Sequence, residues 1–192
     1  RLVLVGSGGL GREVSWLLRM LTVPGAEYLM PIGFPKPLVD RATDLGRQLG
    51  RRNIRSPKLA EMWRAYSSLA GAPNRSAFVR TMRGVIEPTG QMVNATDRLY
   101  LAAHIPTLIV WGENDGIIPV SHAYAAHELI PTSRLEILDG VGHFPHVEAA
   151  EQFCDVLLDF MNTTKPASTH HEALRDVLLE RFLPGREFTV GI

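Results

Sequence analysis

The chain has 192 residues, of which 45% are hydrophobic, so it is long enough to bury the core of one domain and an added lobe. It carries 20 Lys and Arg against 20 Asp and Glu, and this balance excludes the broad positive field that a nucleic-acid partner requires. A single cysteine excludes an internal disulfide, and no apolar run approaches the ~18 residues of a membrane helix. We therefore expect a soluble, cytoplasmic protein with no transmembrane segment, any targeting signal lying upstream of residue 1.

Three strands are predicted along the chain. The first is the apolar run at residues 2–5, and the next are "TLIVW" at 107–111 and "RLEIL" at 134–138. Helical patterns follow the last two strands, at 121–130 and 146–161. Two strands joined by a helix form a right-handed βαβ unit and lie parallel in one sheet. The predicted fold class is therefore α/β with three parallel strands.

A helical lobe is predicted between the first two strands. Helical spacing is found at 38–49, 56–71 and 76–86, with prolines before these segments and Pro88-Thr89-Gly90 after them. We therefore divide the chain into a core at 1–19 and 91–162 and an inserted lobe at 20–90. Residues 163–192 are predicted to be a polar linker and an amphipathic helix at 172–183, which could dock on the core or on a partner subunit of a homo-oligomer.

The glycines after the first strand allow two interpretations. In "VLVGSGGLG", the spacing Gly6-x-Gly8-x-x-Gly11 is typical of a dinucleotide-binding loop of the Rossmann type. Such a site also needs an acidic residue at the end of a second strand about 20 residues later, yet Glu27 lies in the proline-flanked "VPGAEYLMP". We favour the interpretation that these glycines turn the chain off the sheet, and dinucleotide binding is the alternative.

Two polar loops follow the second and third strands. They are "WGENDGIIP", which contains Asp115, and "DGVGHFPH", which contains His143. Ligands of open α/β sheets bind beyond the carboxyl ends of the strands, and these two ends lie at the same edge. We expect Asp115 to hold one nitrogen of His143, leaving the other free as a general base. Glu113 and Asp139 are the competing acids.

Other polar residues offer weaker hypotheses. His143, His146 and Glu148 resemble a metal cluster, but neither a cysteine nor a second histidine pair completes it, so no metal and no cofactor are predicted. Cys154 lies in an apolar helical pattern and is predicted to be buried. No orienting acid is predicted for the histidines outside the His143 loop, among them His122.

Residues 105–161 resemble the C-terminal segment of the α/β-hydrolase family, with the acid in a G-x-x-D turn and the histidine in a G-x-G-H-F turn. "RLVLVGSGG" is similar to the strand that precedes the cap domain of that family, and 20–90 to the helical cap. "GQMVNATDRLYLAAHIP" resembles a group of bacterial hydrolases of unassigned substrate. The resemblance implies the back part of a hydrolase sheet, catalytic roles for Asp115 and His143, and a small, apolar, ester-like substrate.

One departure from the family pattern concerns the nucleophile. In the family it lies in a G-x-S-x-G elbow upstream of the acid and the histidine, and this chain contains no such sequence. Ser7 is a poor substitute, because Val5 stands where the first glycine belongs. We expect the nucleophile upstream and the isolated chain to be inactive. If the residue at the nucleophile position of that elbow is not Ser, Cys or Asp, the protein is instead expected to be a non-catalytic binding protein.

Overall fold

The computed structural model describes residues 1–26 and 72–166, together with residues 37 and 41. The predicted helices at 38–49, 56–71 and 172–183 lie outside these residues. The described elements are, in chain order, β1 (Leu2–Val5), α1 (Trp16–Leu21), α2 (Ala72–Val85), β2 (Ile86–Glu87), β3 (Gly90–Gln91), a 3₁₀ helix (Thr96–His104), β4 (Thr107–Gly112), α3 (Ser121–Leu129), β5 (Arg134–Leu138), α4 (Pro145–Glu148) and α5 (Ala150–Thr163).

The described part of the chain forms a three-stranded parallel sheet in the order β1-β4-β5. Leu4 pairs with Ile109, and Ile109 pairs with Leu135. Every residue of β4 is buried, as expected for a strand that has neighbours on both sides and helices on both faces. The prediction of an α/β fold with three parallel strands is therefore confirmed.

The core lies on both faces of β4, because successive side chains of a strand point to opposite faces. Ile109 and Trp111 belong to one apolar cluster, which includes Ala123 and Ala126 of α3. Leu108 and Val110 belong to the other, which is closed by Phe160 of α5 and by Leu138 and Val141. The two clusters pack β4 between α3 on one face and α5 on the other. No helix among the described residues is long and apolar enough to cross a membrane.

The secondary structure differs from the predictions in two helical segments and in a short hairpin. The segment predicted as one helix at 146–161 is two, because Ala149 adopts φ −137° and ψ 54°, outside the helical region. Pro145 opens the first of them, a position at which proline loses no hydrogen bond. The helix predicted at 76–86 is described as Ala72–Val85, and the short hairpin β2-β3 that follows was not predicted.

The glycine-rich segment after β1 turns the chain, and no helix begins at its last glycine. Gly6 and Gly9 have φ of +50° and +82°, a region that favours glycine, and α1 begins only at Trp16. The Gln91 side chain spans this turn: its oxygen accepts a hydrogen bond from Gly9 N at 2.8 Å, and its amide donates to the Glu13 carbonyl at 3.0 Å. A dinucleotide fingerprint requires a helix N-terminus directly behind its glycines, so this geometry favours the turn interpretation.

Candidate active site

The loop that follows β4 holds Asp115 in a fixed orientation. One carboxylate oxygen, Oδ1, accepts hydrogen bonds from the backbone N–H groups of Ile117 at 2.8 Å and Ile118 at 2.9 Å. The Trp111 indole donates to the Ile118 carbonyl at 3.1 Å and so ties the loop to the buried end of β4. The side chain of Asp115 is fully buried. Its second oxygen, Oδ2, is thereby left to face a partner from another loop.

That partner is His143, in the loop that follows β5. His143 Nδ1 lies 2.8 Å from Asp115 Oδ2. The side chain of His143 is 22% exposed, and among the described residues none makes a hydrogen bond with its other ring nitrogen, Nε2. The ring packs edge-on against Phe144, with their centroids 5.1 Å apart. An ionised carboxylate only accepts hydrogen bonds, so in the neutral imidazole this geometry places the proton on Nδ1 and the lone pair on Nε2.

Close backbone packing brings the two loops together. Asn114 N donates to the Val141 carbonyl at 2.8 Å, and Glu113 N donates to the Leu138 carbonyl at 3.0 Å. At Gly112, an added Cβ would lie 2.1 Å from the Gly142 carbonyl oxygen and 2.4 Å from that of Val141. The His143 loop therefore rests directly on the backbone at the end of β4, where only a glycine leaves room.

Opposing effects act on the Asp115 carboxyl. Burial raises its pKa, because a buried site disfavours the charged form, but the hydrogen bond with His143 and those from Ile118 and Ile117 lower it. The net result is a pKa below the usual 3.8. Asp115 is therefore an anion at neutral pH, and its Oδ2 is a hydrogen-bond acceptor for the imidazole beside it.

A comparison with protein families identifies the fold. A family model described as alpha/beta hydrolase fold matches residues 34–150, which include both loops. The chain belongs to this family. The α/β-hydrolase resemblance inferred from the two turns is thus confirmed.

The chain is also similar to individual proteins and to solved structures. An uncharacterised protein of Mycobacterium tuberculosis is 37% identical over 182 residues, which are 93% of this chain and 53% of that protein. A 2-hydroxy-6-oxo-6-(2'-aminophenyl)hexa-2,4-dienoic acid hydrolase of Metapseudomonas resinovorans is 29% identical over 84% of this chain and 51% of its own. The structure of MenH from S. aureus matches 83% of this chain and 57% of that one, at 26% identity and a TM-score of 0.53. The chain spans about half the length of the curated relatives it matches.

Two residues beside the Asp115–His143 pair were considered from the sequence only in other roles. An added Cβ at Gly6 would lie 3.3 Å from His143 Nδ1, so the turn after β1 packs against the imidazole. Glu148, considered above only as a metal ligand, accepts hydrogen bonds from Gly142 N at 3.0 Å and Phe144 N at 3.3 Å. The position of Gly6 at the end of a strand is a sequence signal for its close contact with His143. The hydrogen bonds of Glu148 have no such signal, because they depend on the path of the loop.

Among the described residues, the competing acids are not hydrogen-bonded to His143. Glu113 accepts a hydrogen bond from Gly140 N at 3.1 Å, and Asp139 is exposed. Within residues 1–26 and 72–166, no hydrogen bond joins Ser7 to His143. Of the residues considered from the sequence as acid or nucleophile, Asp115 is the one in contact with the imidazole.

The prediction that His122 lacks an acidic partner is wrong. Its Nε2 lies 2.7 Å from a carboxylate oxygen of Glu13, and the imidazole is buried at the start of α3. Glu13 belongs to the turn after β1, whose approach to α3 the sequence pattern does not reveal. The predicted burial of Cys154 is also wrong: Cys154 is exposed, because α5 turns another set of side chains inward, namely Phe153, Val156, Leu157 and Phe160. Among the described residues, no group of three His, Cys, Asp or Glu could hold a metal ion.

We predict that Gly112→Ala destabilises the chain by about 3 kcal/mol, because the methyl group would overlap two carbonyl oxygens and force the His143 loop away from β4. Urea unfolding followed by circular dichroism measures the free energy of unfolding. The matched control is Gly116→Ala in the same loop, where an added Cβ meets nothing within 4 Å and little change is expected. Equal effects of the two substitutions would contradict the close packing described here.

The Asp115 carboxyl should also make stability depend on acid pH. Because its pKa in the folded chain lies below 3.8, its contribution is fully present above that value and is lost as the pH falls through the folded pKa. We therefore expect the free energy of unfolding to decrease less steeply on acidification in Asp115→Asn than in the parent. Urea unfolding at a series of pH values checks this, with the exposed Asp139→Asn expected to retain the parent slope.

Proposed function

We propose that this chain supplies the acid and the base of a hydrolase that works through a nucleophile–His143–Asp115 triad. The observation that carries the proposal is the 2.8 Å contact between Asp115 Oδ2 and His143 Nδ1 at the carboxyl ends of two parallel strands. Asp115 holds the tautomer with the proton on Nδ1, so Nε2 accepts the proton of the nucleophile. The family membership supports this assignment, since the acid and the histidine lie in the chain order that hydrolases of this fold use.

The nucleophile in this proposal comes from residues outside the chain. The curated relatives that it matches are about twice as long, and no G-x-S-x-G is present in its sequence. The nucleophile attacks the substrate carbonyl carbon and passes its proton to Nε2 of His143, which then protonates the leaving group. Nε2 next takes a proton from water, whose oxygen attacks the acyl-enzyme; the bond to the nucleophile breaks, the nucleophile takes the proton back from Nε2, and the acid is released. An elbow residue other than Ser, Cys or Asp would favour the binding-protein alternative.

The substrate in our proposal is a small apolar ester. A second class is favoured by one relative, the hydrolase of Metapseudomonas resinovorans that acts on a 2-hydroxy-6-oxo dienoic acid. We also propose that residues 20–90 form a cap over the site and select between such substrates. Of that segment, the structure describes residues 20–26 and 72–90, which include α2 and the short hairpin, and residues 37 and 41.

Turnover by the complete protein tests the proposal. Purified protein is assayed with short-acyl p-nitrophenyl esters and, in parallel, with a 2-hydroxy-6-oxo dienoic acid. Saturable ester hydrolysis supports the first substrate class, and cleavage of the dienoic acid alone supports the second. Absence of turnover on both, together with an elbow that lacks a nucleophilic residue, would overturn the enzymatic proposal in favour of binding.

A further inference from the structure

The carboxylate of Glu148 connects the two residues that flank His143. Oε2 accepts a hydrogen bond from the backbone N–H of Gly142 at 3.0 Å, and Oε1 accepts one from that of Phe144 at 3.3 Å. In the other direction, the backbone N–H of Glu148 donates to the Phe144 carbonyl at 2.8 Å. The loop is therefore closed on both sides of the histidine by one half-buried side chain.

This closure resembles a capping box, in which a side chain in the first turn of a helix reaches back to the N-cap N–H. Phe144 is the N-cap of α4, and Glu148 is the last residue of that helix. A capping interaction of α4 would involve the N–H of Phe144 alone. The Glu148 carboxylate also accepts a hydrogen bond from the N–H of Gly142, which precedes the histidine. Hydrogen bonds on both sides of His143 limit the rotation of its backbone. This matters because the ring must keep its 2.8 Å contact with Asp115.

We propose that Glu148 is a positioning residue of the triad: its carboxylate fixes the backbone around His143 so that the imidazole keeps its orientation toward Asp115. This inference rests on the proposed function for its catalytic meaning, but the orientation of His143 can be measured without turnover. In this scheme Glu148 acts through the two N–H groups of Gly142 and Phe144. Both carboxylate oxygens are needed, because each accepts from a different residue.

Two substitutions separate this role from general support of the fold. Glu148→Ala removes both acceptors, whereas Glu148→Gln retains one oxygen and places an NH₂ group against the other N–H. A displaced catalytic group slows the chemical step far more than it weakens substrate binding, and a misplacement of 1 Å costs on the order of 10²-fold. We expect Glu148→Ala to lower kcat about 10²-fold with little change in KM, and Glu148→Gln to lie between it and the parent.

The experiment uses the complete protein, p-nitrophenyl butyrate as substrate, and proton NMR of the His143 Nδ1–H, whose low-field resonance reports the hydrogen bond to Asp115. The expected result is the loss of kcat together with a shifted or broadened Nδ1–H signal in Glu148→Ala. The matched control is Glu151→Gln, an exposed acid in the first turn of α5, which should leave both readouts unchanged.

Unchanged kcat and an unchanged Nδ1–H signal in both folded Glu148 variants would overturn the inference. If Glu148→Ala does not fold, the same two readouts on Glu148→Gln decide. If the parent shows no ester turnover, the proposed esterase function fails separately, and the NMR signal alone decides on Glu148: a shift in the variants supports the positioning role, and an unaltered signal rejects it.

Discussion

Replacing His143 with alanine in the complete protein should lower kcat/KM of the proposed reaction on the order of 10⁶-fold, the cost of losing the base in a triad enzyme. His143 is the proton acceptor in both halves of the proposed reaction, and its Nε2 is the ring nitrogen that Asp115 leaves free. Among the described residues, no other side chain contacts Asp115 in a way that could replace it. Steady-state kinetics on a p-nitrophenyl ester measures the loss.

The matched control for this substitution is His146→Ala. His146 lies in the same loop and is exposed, and its ring packs edge-on against Phe144 and Phe153 instead of facing an acid. We expect its removal to change kcat/KM by less than about tenfold, since the contacts of its ring in the described part of the chain are aromatic ones. Near-normal turnover in His143→Ala, or equal losses in the two variants, would exclude His143 as the base.

The sheet and the meeting of the two loops could be predicted because both follow from short-range patterns and one topological rule. β4 is a continuous apolar run, and strands buried on both faces have this composition. β5 falls on the predicted residues 134–138. Parallel strands end at the same edge, so loops far apart in the sequence had to converge there. From this rule and the sequence alone, Asp115 is predicted to lie near His143.

The close approaches between backbones could not be predicted. The overlap that a side chain at Gly112 would cause depends, to a few tenths of an ångström, on how closely two segments remote in the sequence approach each other. The hairpin β2-β3 has only two residues per strand, too few for an alternating pattern to be recognised. The proposed role of Glu148 depends on where the loop carries two N–H groups, whereas the residue spacing suggested only an incomplete metal cluster, from which no metal was predicted.

Asp115→Asn should lower kcat/KM about 10⁴-fold, the loss typical of a triad whose histidine is held in the wrong tautomer. The asparagine oxygen can keep the place of Oδ1, where Ile117 and Ile118 donate. Its NH₂ group then faces His143 Nδ1 as a donor. To accept that hydrogen bond at Nδ1, the imidazole must carry its proton on Nε2. Nε2, the nitrogen that faces the nucleophile, can then no longer accept a proton.

The size of the loss separates this tautomer effect from a loss of folding. Asp139→Asn makes the same chemical change on an exposed carboxyl beyond β5, and its turnover should match the parent. Circular dichroism should show both variants folded at neutral pH, with kcat reduced in Asp115→Asn alone. If a folded Asp115→Asn retained more than about a tenth of the parent kcat/KM, the contact between Asp115 and His143 would be structural, and another group would have to orient the base.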